Sequence, residues 1–457
     1  TALVSCSPGE KKEKEPEKQR LENVYLTKEF KLPKDTYGIN IEFCDDVVYI
    51  LARREILEKD EFGNDVYSSD TAVFTTDRTF SSFEEILTFK NENDWNDEES
   101  TSTGKSVQTI FSAGNNEAML LYNKWYENWS DPEEYIYENS WTIEKISADG
   151  TVLSSFDLDF SDVEGEHFYV SNIEPLPDGK LLVIADVAAY VMNTDGKVEK
   201  VCDAAENLQT LEILDDGRTI AVYYDNEWNF CVGEYDLRNN EIKKFGTYPG
   251  MRGDMPIITP DGRLFFIDAV ELVEYELETL KEKGVEINWF NSDVNPNYVH
   301  NIVYEDGAFY SIDQSDWKNV KLLKMTPCDD VIEKYVIDLA CIGLDYEIAD
   351  KIIEFNRGEK DHRIVVHDYS EWDKEGKQIG VEALDNEIIK GNVPDIINLS
   401  GLDFKKYASK KILTDIGALI DKDDDISRDD FLENVLEFGT ENGKLYSLIT
   451  GFSVSTV

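Results

Sequence analysis

The feature that most constrains the fold is a turn that recurs. Asp-Gly occurs at Asp149-Gly150, Asp178-Gly179, Asp195-Gly196, Asp216-Gly217, Asp261-Gly262 and Asp306-Gly307. The pair is favoured where both central residues of a tight hairpin need positive φ. Asp178 to Asp216 is 38 residues, and the next two steps, to Asp261 and to Asp306, are 45 each. Many of these turns lead into short apolar runs, such as Leu181–Ala185, Thr219–Tyr224 and Leu264–Ile267, rich in the β-branched and aromatic residues that suit strands. A period of roughly 40–50 residues with about four short strands per unit is what a β-propeller blade needs. Pro177-Asp178-Gly179-Lys180-Leu181 and Pro260-Asp261-Gly262-Arg263-Leu264 are close copies, and Asp306–Tyr310 is a looser one. Two longer units are expected around Cys44–Arg54 and Gly114–Tyr122, with the acidic stretch Asn91–Thr103 as a mobile loop. The count is six blades, or seven if a strand near Tyr25–Leu32 closes the ring. Closure matters because an open ring leaves sheet edges free to pair with other chains. A β-sandwich with accessory strands is the competing architecture, and neither assigns a function.

Charge removes several function classes. The 457 residues carry 45 Lys+Arg against 95 Asp+Glu, a net charge of −50. A nucleic-acid partner needs a basic surface to displace phosphate counterions, and an anionic membrane surface needs the same. Aromatic residues make up 12% of the chain, far from the composition of a disordered acidic polymer. No run approaches the ~18 apolar residues of a membrane-spanning helix.

Catalytic and metal motifs are missing. The six cysteines are dispersed with no C-x-x-C pair, which suggests neither zinc nor redox chemistry. No nucleophile elbow, zinc-protease helix or phosphate loop occurs. Asp45-Asp46 and Asp215-Asp216 read as turn residues, and His167 and His300 stand alone. Trp125-Tyr126-Glu127-Asn128-Trp129 offers sugar-stacking faces or core contacts. Asp421–Asp425 begins like a calcium loop, but Ile426 stands where glycine is needed and Leu432 where glutamate is needed. The expectation is a non-enzyme with no catalytic residue, no metal site and no cofactor. A propeller glycosidase, working through two carboxylates, is a minor alternative.

Leu3-Val4-Ser5-Cys6 resembles the end of a bacterial lipoprotein signal, in which the cysteine becomes the lipid-bearing N-terminus. The charged run Glu10–Arg20 behind it fits a solvated tether. The basic and most of the apolar signal regions are missing ahead of Cys6. Residues 1–23 are therefore expected to be a signal remnant and tether, with Cys6 lipidated and the chain anchored on the extracellular face of a bacterial membrane. Residues 24–335 form the propeller-like domain.

From residue 336 the period changes. Val336–Cys341, Arg363–Tyr369 and Pro394–Leu399 read as strands, alternating with helices over Asp345–Phe355, Glu382–Lys390 and Phe404 to about Lys410. Such alternation predicts βαβ units, a mainly parallel sheet and a ligand crevice at the strands' C-terminal ends. With Gly391-Asn392-Val393-Pro394-Asp395-Ile396, Asp430–Val435 and Gly443-Lys444-Leu445-Tyr446-Ser447-Leu448, this order resembles the family-1 extracellular solute-binding proteins of bacterial ABC transporters. The resemblance covers about a quarter of the chain, and these residues stop inside a first lobe at Val457. It implies that 336–457 is the truncated N-terminal lobe of a periplasmic-binding-protein fold. Its solute would be a sugar or oligosaccharide and its partner a membrane permease, with the propeller as an accessory binding or docking domain. Candidate ligand residues by position are Gly343, Asp345, Tyr369, Trp372, Ser400, Tyr446 and Thr450. Asp345 is equally a helix cap and Tyr446 equally core. The alternative function is a propeller that holds a protein or glycan partner at the cell surface, without a transport role.

Overall fold

A computed structural model describes residues 2–3, 17–59, 65–90, 92–96, 100–130, 136–163, 168–176, 178–186, 188–205, 207–248, 255–316, 319–370 and 379–448. Cys6, Trp372, Thr450 and His167 lie outside them. Of the described residues, 52% are strand and 12% helix. From Tyr25 to Pro327 the described residues form six antiparallel sheets. The inner strands of the six sheets are Thr36–Cys44, Thr101–Gly114, Val170–Pro175, Leu208–Ile213, Ile257–Ile258 and Val299–Glu305. The strand over 36–44 adjoins that over 101–114, which adjoins 170–175, then 208–213, and the strand over 299–305 returns against 36–44. The sheets thus close a ring.

The pleat explains why they stack. Successive side chains leave a strand on opposite faces, so a strand buried on both sides feeds two different cores. In the first blade, Ile50 and Phe74 join Tyr310 and Leu322 of the sixth, while Tyr49 and Val73 join Leu120 and Ile146 of the second. In the third, Val183 and Met192 meet Leu121 and Ile143, while Leu182 and Ile184 meet Leu211 and Ala221 of the fourth. Ile220 and Val222 then pack on Leu264 and Phe266, and Phe265 and Ile287 on Phe309 and Leu323. Every neighbouring pair shares a core, including the pair that closes the circle.

The described residues form six blades and no seventh. The strand Tyr25–Lys31 runs antiparallel to Lys321–Pro327 as the outermost strand of the sixth sheet, with Thr27 opposite Met325. The stretch expected as a mobile loop differs too: Glu92–Asn96 is a strand paired with Thr101–Lys105, because the second blade's hairpin extends beyond the other blades.

The turns correct one detail of the repeat. All six Asp-Gly glycines take positive φ, from 75° to 86°, but only Asp306 among the six aspartates does, at 50°. At the other five the amide of the glycine donates three residues back, as Gly217 does to Leu214 O at 2.8 Å. These are type I turns with the glycine in the left-handed region, not paired left-handed residues.

The expectation of a solute-binding lobe is corrected. Strands and helices do alternate after Glu333, and Glu333–Cys341 has parallel neighbours in His362–Asp368 and Ile396–Ile397. The sheet is nevertheless small and mixed. Ile396–Ile397 is only two residues long, and the two-residue strands Ala2–Leu3 and Gln19–Arg20 pair antiparallel. Nor does the segment close a core of its own on both faces. Leu339, Cys341, Ile352 and Val366 share one cluster with Trp289, Phe290 and Phe309 of the propeller. The tail is a mixed cap on blades five and six of a mainly antiparallel protein.

Candidate functional site

The repeat places side chains at defined heights on the inner strands. Glu174 stands opposite Leu182, and Glu212 opposite Ile220. Leu182 and Ile220 each follow the aspartate of their hairpin by four residues, so the two glutamates hold one register position. In the fifth blade that position is Ile257, opposite Phe265, and in the sixth Val303, opposite Tyr310. The first blade contributes Glu42, opposite Tyr49.

These residues line one cavity of about 610 Å³. Its wall divides into an acidic half, from Glu42, Glu174 and Glu212, and an apolar half, from Ile257, Ile302 and Val303. None of the described residues around it is lysine or arginine. Glu305 also reaches the wall, but Arg78 Nη1 donates to its Oε1 at 2.8 Å. A smaller cavity of about 200 Å³ shares Glu42 and Glu174. It is laced by Asn40 Nδ2 to Thr109 Oγ1 at 2.8 Å and Asn172 Nδ2 to Thr210 Oγ1 at 3.2 Å, each joining one inner strand to the next.

The three carboxyls are shifted the same way. Displacement of bulk water by the surrounding sheets pushes Glu42 up to about 8, with Glu174 adding like-charge repulsion. The Ser112 amide, donating to Glu42 Oε1 at 3.0 Å, pulls in the opposite direction. Glu212 rises to about 8, first by desolvation, then by the charges of Glu174 and Glu42. Glu174 rises to about 7 by desolvation, moderated by Asn172. All three keep some accessible surface, which they present to the cavities they line. Near neutral pH such a cluster holds a mixture of carboxyl and carboxylate, able both to donate and to accept. A cation arriving there favours the ionised forms and displaces protons. Among the described residues no group of three metal-ligating side chains is close enough to hold a metal ion.

None of the three glutamates stands out in the unaligned sequence. The signal is the charge that interrupts an apolar strand four residues before the turn: Ile173-Glu174-Pro175-Leu176 before Asp178, and Leu211-Glu212-Ile213-Leu214 before Asp216.

The residues expected from position in the tail lie elsewhere. Gly343, with φ 77°, donates its amide to Asp368 Oδ1 at 2.9 Å. Tyr369 follows the end of the adjacent strand, its amide bonded to Cys341 O, and Ser400 donates its amide to Asn398 Oδ1 at 3.0 Å. These three gather at the C-terminal ends of the parallel strands. Asp345 caps the helix Tyr346–Gly358, accepting from the amide of Glu347. Tyr446 packs with Tyr369 against the cluster of Leu384, Ile397 and Tyr407.

No protein-family model matches the chain, and no curated protein matches it. The resemblance to ABC-transporter solute-binding proteins is overturned by the fold itself, whose described residues are mostly strand in separate antiparallel sheets and not a solute-binding α/β lobe. Among solved structures, the chain is similar to a Bacteroides caccae protein of unknown function, at 14% identity and TM-score 0.33 over 56% of this chain and 92% of that one. It is similar to Trypanosoma rangeli sialidase in complex with the inhibitor DANA, at 11% and 0.39 over 67% of this chain and 59% of the sialidase. A third is Saccharomyces cerevisiae Sqt1, at 10% and 0.36 over 67% and 100%. The chain spans about three fifths of the sialidase's length. Likeness at this level assigns no activity, and the propeller rests on the chain's own sheets and shared cores.

Proposed function

We propose that this propeller is a binding protein that takes a small amine-bearing ligand in its axial cavity. One observation carries the reading: three glutamates from three blades converge on a cavity whose described lining, which includes His300, holds no lysine or arginine to neutralise them. Acids held partly protonated by burial regain their charge when a cation arrives, and a concave acidic surface concentrates cations from solution. Binding fits the site better than acid–base catalysis. A hydrolytic pair needs environments that push two carboxyls apart, one protonated and one ionised. Here all three move upward together.

Glucosamine and glucose form a matched pair of probes, alike except for the ammonium, and putrescine carries the ammonium without the sugar. Calorimetric titration of the full chain is expected to give binding heat with glucosamine and putrescine and none with glucose. Equal binding of the two sugars, or no binding of either amine, overturns the proposal.

A further inference from the structure

The axis of the ring carries a second tier of side chains. Residues two apart on a strand share a face, so the residue two before each glutamate stands on the same side of its sheet. That residue is Asn40 in the first blade, Asn172 in the third and Thr210 in the fourth. By the same register it is Thr109 in the second blade, before Phe111, and Asn301 in the sixth, before Val303. Only the fifth blade departs, with Met255 before Ile257. Five of the six inner strands thus place an amide or a hydroxyl at one height. The strands are shaped for it. Pairing slips by one residue just ahead of this height in the first four blades, and across it in the sixth. Such a bulge bends the strand and re-aims the side chains beside it.

The tier is partly paired within itself and keeps capacity for a ligand. Asn40 Nδ2 and Asn172 Nδ2 each spend one hydrogen on a neighbouring threonine, Thr109 and Thr210. A side-chain amide nitrogen has two hydrogens, and a hydroxyl that accepts can also donate. All five residues keep accessible surface. Asn40, Thr109 and Asn172 line the smaller cavity, of about 200 Å³, and Asn301 lines the larger, of about 610 Å³. Glu42 and Glu174 stand in the walls of both. The acids therefore lie between an annex of amides and hydroxyls and a chamber walled by Ile257, Ile302 and Val303.

A ligand that uses all of this needs an ammonium, hydroxyls close beside it and an apolar flank. A diamine has only the first, and an alkylamine the first and third. A pyranose ring bearing an amine has all three, because its hydroxyls lie at the ring edge and its C–H bonds form an apolar face. We infer that the axial site takes an amino sugar, its ammonium on Glu42 and Glu174, the adjacent hydroxyls on Asn40, Thr109 and Asn172, and the C–H face of the ring against Ile257 and Val303. The inference rests on the amine reading of this cavity and narrows it.

Glucosamine and cyclohexylamine share a six-membered ring and an amine, and only glucosamine has hydroxyls. Calorimetry on the full chain is expected to give glucosamine the tighter binding by roughly tenfold, the scale of one or two hydrogen bonds. Asn40→Leu and Thr109→Val keep the approximate shape of each side chain and remove its polar atoms. Each is expected to weaken glucosamine several-fold and to leave cyclohexylamine unchanged, so cyclohexylamine also reports that the variant's cavity is intact. Should a variant fail to fold, the wild-type comparison decides. Cyclohexylamine binding as tightly as glucosamine, or both amines weakened alike by the substitutions, overturns this inference and leaves the amine reading standing. If neither amine binds, both fall together.

Discussion

Ser292 Oγ accepts a hydrogen bond from the backbone amide of Tyr25 at 2.9 Å, across 267 residues of sequence and in a fully buried setting. It holds the start of the strand that completes the sixth blade. Asn291 and Asn288 hold the chain just ahead of it, through the carbonyls of Glu22 and Asn23. Ring closure therefore depends on a short polar segment after the fifth blade as well as on strand pairing.

Ser292→Ala removes the acceptor and leaves the Tyr25 N–H buried and unpaired. The expected cost is about 1–2 kcal/mol. Urea unfolding followed by tryptophan fluorescence measures it. An unchanged midpoint would mean that ladder pairing alone holds the strand.

Arg54 and Asp70 stand directly opposite in the first blade and meet through two parallel bonds, Nε to Oδ1 at 3.0 Å and Nη2 to Oδ2 at 2.9 Å. The Asp70 side chain is 6% exposed, and Arg54 keeps Glu85 as a second partner. Asp70→Ala is expected to cost about 2 kcal/mol, below the 3–5 of a fully stranded buried charge, because Glu85 remains. Adding Glu85→Ala should cost more than the sum of the two single changes, a coupling that a double-mutant cycle reads directly.

The glycine turns separate backbone strain from crowding. Gly217 has φ 84° and open space where a Cβ would stand, so Gly217→Ala carries only the left-handed backbone penalty, about 1 kcal/mol. Gly196 has φ 79°, and a Cβ there would lie 2.2 Å from Asp157 O. Gly196→Ala is expected to cost clearly more. Melting temperatures of the two variants, measured side by side, should fall in that order.

The blades were legible where turn chemistry was specific. The Asp-Gly pairs at 178, 216, 261 and 306 all join the first strand of a blade to the second, which is why their spacing reported the period. The equivalent turns of the first two blades use Asp45-Asp46 and Asn115-Asn116, side chains that tolerate the left-handed region but also serve many other roles. Glu174 and Glu212 became visible only once the repeats were in register. Glu42 lacked even that, because no Asp-Gly marks its blade. The C-terminal expectation failed for a different reason. Helix and strand patterns around Tyr346 and His362 are local properties. Whether a sheet grows into a lobe depends on tertiary pairing, and here Ile396–Ile397 offers only two residues to it. The face bearing Val366 found its partner in Trp289 and Phe290, residues no local pattern could point to.

The axial acids make stability depend on pH in a defined direction. Their folded pKa values lie above the ordinary glutamate value, so the folded state holds protons that the unfolded state releases. Stability is then fully present below the unfolded value and falls as pH rises through the window from about 4.5 to about 8. Glu212→Gln, which keeps the shape of the neutral acid, should flatten that decline and raise the melting temperature at pH 8 while leaving it nearly unchanged at pH 5. The gain at pH 8 is expected to be ~1 kcal/mol after allowance for the water in the cavity. A melting curve that falls equally steeply in the variant would remove Glu212 from the titrating set.

Ligand binding must be linked to the same protons. An ammonium entering the cavity favours carboxylate over carboxyl, so its association at pH 7 should release protons to buffer, and its affinity should rise with pH between 6 and 8. Titrating putrescine in two buffers of different ionisation enthalpy reads the number released as a difference in observed heat. Glu174 is the pivot, since its charge acts on both Glu42 and Glu212. Glu174→Gln removes that repulsion and one cation partner together. It should weaken putrescine roughly tenfold, the scale of one charge-assisted hydrogen bond, and reduce the proton release. If the heats coincide in the two buffers while putrescine still binds, the amine sits somewhere other than among these acids.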